Sequence, residues 1–166
     1  DEEKYFKLAE DAARRALSID PNIGEAHAVL AQINAERGDL LDAESGFFFA
    51  ISLEPNEPTA HHWYSILLQN VGRLDAALVQ AKRAQELDPS SPIIAANLAS
   101  VYLIKGDDDA ALRAGKMAAE LGLSQKNGGV EALVALRRRQ WDEAKRWLVE
   151  DGMPKDRYRL YHVEKA

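Results

Sequence analysis

Gly72-Arg73-Leu74-Asp75-Ala76-Ala77 has counterparts on both sides: Gly38 and Ala43 precede it by 34 residues, and Gly106 and Ala111 follow it by 34. Pro21, Pro55 and Pro89 keep the same step, in Ser18-Ile19-Asp20-Pro21, Leu53-Glu54-Pro55 and Leu87-Asp88-Pro89. Ala9 carries the alanine series one step further toward the N-terminus. Three kinds of residue locked to one period define an internal repeat. Each kind has a mechanical reason for its place. The glycines close the helical stretches 27–37, 61–71 and 95–105, where a residue without Cβ enters the left-handed conformation at little cost. The proline series ends the second helix of each unit, through its fixed φ and missing N–H. Pro58 and Pro92 fall in the first turn of the next helix, where proline is tolerated. Ala43 with Ala50, Ala77 with Ala84, and Ala111 with Ala118 lie two turns apart on one face, where two helices must come close. A larger side chain there would cost about 1–3 kcal/mol.

Between the markers the apolar residues recur at helical spacing, as in Leu30, Ile33, Leu40, Phe47 and Leu53 and again in Trp63, Leu67, Leu74 and Leu87. The 166 residues therefore form an array of helix pairs rather than one globular layer structure. With 46% hydrophobic and 29% charged residues the chain has a real core, and it has no run approaching the roughly 20 apolar residues of a bilayer span. Lack of Cys excludes disulfides, Cys-based metal sites and thiol chemistry. The net charge of −6 argues against a general nucleic-acid or anionic-membrane binder. The first residues are Asp1-Glu2-Glu3, with an amphipathic helix under way at Tyr5, so we expect a piece of something longer.

These residues resemble the tetratricopeptide repeat family, whose pattern includes a small residue at position 8, Gly at 15, Ala at 20 and 27 and Pro at 32. Unit 24–57 supplies Leu30, Ala31, Gly38, Ala43, Phe47, Ala50 and Pro55. Unit 58–91 supplies Tyr64, Ser65, Gly72, Ala77, Ala84 and Pro89, and unit 92–123 supplies Leu98, Ala99, Tyr102, Gly106, Ala111 and Ala118. Residues 1–23 match only a second helix, 124–150 resemble a degenerate pair opened by Val130 and Trp141-Asp142-Glu143-Ala144, and 151–166 form a tail or cap. The resemblance implies an all-α, right-handed solenoid of antiparallel helix pairs with a concave face lined by the first helix of each pair. It assigns to that face Glu25, Ala28, Gln32, Ala35 and Glu36, then Thr59, His62, Ile66, Gln69 and Asn70, then Ile93, Ala96, Ser100, Leu103 and Ile104. The partner-binding set expected from it is Gln32, His62, Ile66, Gln69, Asn70, Ser100, Leu103 and Ile104. Ile93, Leu103 and Ile104 would make an apolar patch, either a binding surface or a face covered by the C-terminal segment.

The family's carboxylate clamp for C-terminal peptides is absent. One register offers Ala28, Gln32, Trp63, Ile93 and Asn97, the next His62, Ile66, Asn97, Lys126 and Val130, and neither makes a cationic site. His61 and His62 are adjacent on a helix and point about 100° apart, so they suit packing better than a shared metal. Asp107-Asp108-Asp109 reads as a helix start complementing the dipole. Phe47-Phe48-Phe49 cannot all face one core; we expect Phe47 inside and Phe48 outward, in a rim contact with a neighbouring helix or in contact with a partner or second subunit. Residues 124–166 carry net +3 and residues 1–123 net −9; the basic run Arg137-Arg138-Arg139 and the tail aromatics Tyr158, Leu160 and Tyr161 suit dipole complementation and capping better than RNA binding.

A narrower likeness joins Thr59-Ala60-His61-His62-Trp63-Tyr64, Gly72-Arg73-Leu74-Asp75-Ala76-Ala77 and Arg83 to Ile94 to the C-terminal arrays of bacterial winged-helix regulators and nucleotide cyclases. It implies a regulatory or oligomerisation module as the alternative to a free protein-binding module. The expectation is a non-catalytic, cytoplasmic protein, or a periplasmic one if it belongs to a membrane-anchored regulator. Its partners would be proteins or peptides, a second copy or a linked domain, with no cofactor, metal or nucleic acid.

Overall fold

The computed structural model describes residues 2–123 and 129–150, and every regular element among them is an α-helix. The chain divides into two compact units, Asp1–Pro89 and Ser90–Ala166. The first holds α1 (Glu2–Ile19), α2 (Gly24–Arg37), α3 (Leu40–Leu53), α4 (Pro58–Asn70) and α5 (Leu74–Leu87). The second holds α6 (Pro92–Lys105), α7 (Asp108–Glu120), α8 (Gly129–Arg137) and α9 (Trp141–Glu150). Pairing follows the repeat: α2 packs on α3, α4 on α5, α6 on α7 and α8 on α9.

Within the first unit α2 is enclosed by α1, α3 and α4, which explains why its buried residues Gly24, Ala26, Ala28, Ala31 and Ile33 are mostly small and lie on several sides of the helix. Gly46 of α3 sits against Ala31: a Cβ built on it would lie 2.9 Å from the Ala31 Cβ. That close approach leaves room for one large group, Phe47, which is fully buried and stacks on Tyr64 at 5.7 Å between ring centroids. Burial of such a ring contributes about 1.5–3 kcal/mol. Ala43, Ala50, Ala77, Ala84, Ala111 and Ala118 are all buried, as the close-packing argument requires. Leu40, grouped with the apolar stripe in the sequence, stays exposed at the first turn of α3.

The turns inside the pairs share one geometry. Gly38, Gly72 and Gly106 take φ of 87°, 78° and 86°, and the next residue's N–H reaches back five positions, Asp39 to Asn34, Arg73 to Leu68 and Asp107 to Tyr102. This satisfies carbonyls that the helix end would leave open. At the opposite ends Glu57 accepts from the N–H groups of Thr59 and Ala60, Ser91 from Ile94, and Asp107 from Ala110. Asp107 therefore caps α7, the helix-start role read from its sequence.

Neighbouring pairs are joined by carboxylates and arginines. Arg37 of α2 donates to Glu10 of α1 at 2.7 Å, Arg73 donates to Glu44 of α3, and in the second unit Arg137 and Arg138 of the α8 end donate to Asp108 and Asp109 of α7 at 2.7 Å each. Two arginines of the run read as complementing the helix dipole, Arg137 and Arg138, are thus engaged by acids of the preceding pair. The tail aromatics Tyr158, Leu160 and Tyr161 lie outside the described residues.

Candidate partner-binding faces

The first helices carry the candidate residues. In the first unit α2, which carries Gln32, packs against α4, which carries His62, Ile66, Gln69 and Asn70. In the second unit Ser100, Leu103 and Ile104 share the last two turns of α6.

Their exposure differs. Asn70 is exposed, while Gln32, Ile66 and Gln69 are partly open. The Gln32 side chain donates to Glu36 one turn on, at 2.7 Å, so an amide and a carboxylate stand together on the surface of α2. His62 lies deeper, 9% exposed, and burial pushes its imidazole below the ordinary value of 6.5, favouring the neutral form. Ser100 and Leu103 are half-buried, whereas Ile104 is 51% exposed and Ile93, at the other end of α6, 59%. α8 packs on α6, and Arg137 donates to the Leu103 carbonyl at 2.6 Å, yet both isoleucines remain open.

The other two histidines of the repeat have a structural use that the sequence reading did not specify. The His27 ring reaches the Pro21 carbonyl at 2.9 Å, and the His61 ring reaches the Pro55 carbonyl at 3.1 Å, both six residues back. His61 also contacts Gln80 of α5 at 2.6 Å, and the ring of His27 meets Phe49 edge-on at 4.7 Å. Each ring thereby fixes the carbonyl at the end of one repeat to the first helix of the next. The paired spacing of Pro21 with His27 and Pro55 with His61 was the signal for this. Phe49, and not Phe48, makes the contact with the neighbouring helix: Phe48 is 70% exposed.

A cluster that sequence reasoning missed joins the two pairs of the first unit. Glu44 of α3 accepts from the Tyr64 hydroxyl at 2.9 Å and from Arg73. Arg73, and then Tyr64, hold the Glu44 carboxyl below its usual range, while burial and then Glu44 push the Tyr64 phenol up to about 12. Among the described residues no group of three or more His, Cys, Asp or Glu is placed to hold a metal, and no helix is long and apolar enough to cross a membrane.

No protein-family model matches the chain. The chain is similar to part of the protein O-mannosyl-transferase Tmtc1 of Drosophila melanogaster, 38% identical over 77 residues; these are 46% of this chain and only 9% of that protein's length. Among solved structures, the pilF protein of Pseudomonas aeruginosa superposes with a TM-score of 0.77 at 20% identity, over 91% of this chain and 71% of that one. MamA gives 0.74 at 20% identity, over 95% and 92%. A thermophilic TPR protein of Thermus thermophilus gives 0.67 at 20% identity, over 94% and 88%. Likeness at this identity speaks to architecture, and with the repeat geometry above it gives the chain the all-α tetratricopeptide-repeat fold.

Proposed function

We propose that the chain is a non-catalytic protein-recognition module that holds segments of a protein partner on its first-helix faces. The observation that supports this reading best is α6: Ile93 and Ile104 stay exposed although α8 already packs on the same helix. Apolar side chains held open on a rigid helix suit an anchor residue of a partner. The α2 and α4 face offers different chemistry. Its amides, Gln32, Gln69 and Asn70, with Glu36 beside them, suit backbone groups and basic or amide side chains of an extended segment, over a floor that includes His62.

The test uses photo-crosslinking residues at Asn70 and at Ile104, with Lys116 on the outer side of α7 as control, followed by identification of the attached peptides. Crosslinks to a partner from the first two positions and none from the control are expected. The double variant Leu103→Asp and Ile104→Asp should abolish capture at α6 while the helical content stays unchanged. Retained fold together with retained capture would overturn the assignment of α6.

A further inference from the structure

The α8–α9 pair departs from the other three pairs at two matched positions. Arg139 takes φ 58° at the place where Gly38, Gly72 and Gly106 turn, and the next N–H reaches back five positions in the same way, Gln140 to Ala135. A residue with a Cβ is strained there. Eight residues before the turn the other pairs carry Leu30, Tyr64 and Leu98, and this one carries Glu131. Its Oε2 is buried without a hydrogen-bond partner, so the closed pair holds a carboxylate oxygen away from water and offers it nothing in return. Other contacts hold the pair in place. Among the described residues α9 rests on α8 alone, and α8 rests on α9, α6 and α7. At the start of α8, Val130 covers Gly115 of α7, where a Cβ would lie 3.2 Å from the Val130 Cβ. At its end Arg137 spans the Gly106 turn, from the Leu103 carbonyl of α6 at 2.6 Å to Asp108 of α7 at 2.7 Å, and Arg138 donates to Asp108 and Asp109. The two arginine side chains are 42% and 39% exposed, so salt screens them.

We propose that the α8–α9 pair is a reversible cover on α6 and α7: its arginines close it, Glu131 and Arg139 oppose closure, and it opens as a unit while α2 to α7 stay folded. Among the described pairs it is also the shortest. α8 and α9 have 9 and 10 residues, against 13 or 14 in each of α2 to α7, so less burial has to be undone. Fraying from short length alone would leave the turn and the core position as they are in the other pairs. Here one side chain at each of them acts against closure. Opening bares the Leu103 carbonyl and the side of α7 around Gly115, which the closed form hides. It needs no partner, so this device and the partner reading of α6 stand or fall separately.

Hydrogen exchange of the 166-residue chain, resolved by mass spectrometry, tests the proposal. The amides of α8 and α9 should exchange together, roughly tenfold or more faster than those of α4 and α5. Glu131→Leu and Arg139→Gly should each slow that exchange about threefold or more, because each removes an opposing group. Arg137→Gln with Arg138→Gln, or about 1 M salt, should speed it about threefold or more and leave α4 and α5 unmoved. A reversible lock makes the decisive comparison within one molecule. The chain has no cysteine, and Gly115→Cys with Val130→Cys places two thiols near the Cβ separation of about 3.5–4.5 Å that a disulfide needs. Oxidation should abolish the fast exchange of α8, and reduction should restore it. Exchange of α8 and α9 at the rate of α4 and α5 overturns the proposal. So does fast exchange that Glu131→Leu and Arg139→Gly both leave unchanged, or that survives the lock.

Discussion

Replacing Glu44 by Gln keeps the shape and an acceptor oxygen while removing the charge that links α3 to Tyr64 and Arg73. The Tyr64 hydroxyl is 2.9 Å from Glu44, and the tyrosine itself is buried. A hydrogen bond to a charged acceptor contributes about 1.5–3 kcal/mol and one to a neutral acceptor about 0.5–1.5 kcal/mol. The Glu44 side chain is 36% exposed, so water screens part of the difference, and the expected loss is about 1 kcal/mol. Tyr64→Phe should cost about the same, and the double variant less than the sum, with a coupling of roughly 0.5–1 kcal/mol in urea denaturation. The titration of Tyr64 gives an independent reading. Its phenol, pushed up to about 12 first by burial and then by Glu44, should fall only part of the way toward 10 in the Gln variant, because burial remains. Subtracting the alkaline absorbance profile of Tyr64→Phe isolates it from the other four tyrosines. The sign for stability follows. A phenol whose folded value is raised contributes fully below 10, and that contribution is lost as pH climbs from 10 through about 12. A carboxyl held low contributes above its ordinary value of 4.5 and loses that contribution as pH falls below it. The Gln variant should therefore lose less than wild type at both extremes. A coupling of zero, with an unmoved Tyr64 titration, would refute the reasoning.

Gly38→Ala and Gly46→Val test two different demands on glycine. At Gly38 a Cβ meets open space but φ is 87°, so the cost is backbone strain of about 1 kcal/mol, read as a lower urea midpoint. At Gly46 the Cβ lands 2.9 Å from the Ala31 Cβ, so Val forces α2 and α3 apart at about 1–3 kcal/mol, with a correspondingly larger fall in melting temperature. Because burial holds His62 below 6.5, its contribution is present above that value and is lost as pH falls below it. The urea midpoint of wild type should therefore drop more than that of His62→Gln between about pH 7 and pH 5.

The helix pairs were legible because their determinants are local. Gly38, Gly72 and Gly106 report a backbone torsion, the prolines a missing donor, and the buried alanines a helix spacing, and each acts within a turn or two of itself. Phe48 was legible for the same reason, since three consecutive helical residues cannot share a face. What it rests against was not. Phe49, its neighbour in sequence, meets His27 of α2 edge-on inside the same repeat, and that depends on how the two helices of the pair cross. The Glu44, Tyr64 and Arg73 cluster was missed because its members are 20 and 29 residues apart and look like ordinary surface polar residues one at a time. A periodic signal did exist: an acid precedes its arginine by somewhat less than one repeat in Glu10 with Arg37, Glu44 with Arg73 and Asp108 with Arg137. The candidate faces were legible as positions through the family resemblance, but the depth of His62 follows from three-dimensional packing.

The offset of those acid–arginine pairs bears on how such a chain can be cut and rejoined. At three of the junctions, Glu10 with Arg37, Glu44 with Arg73 and Asp108 with Arg137, one repeat carries the acid that receives an arginine from the repeat after it, so the piece that is electrostatically complete there does not begin and end where the 34-residue motif does. A chimera joined at the proline turns keeps every helix pair whole yet separates Glu44 from Arg73, whereas one joined within the turn after Arg73 carries both. Exchange between arrays of this kind should then gain or lose up to about 1 kcal/mol on the identity of two half-exposed residues nearly a repeat apart.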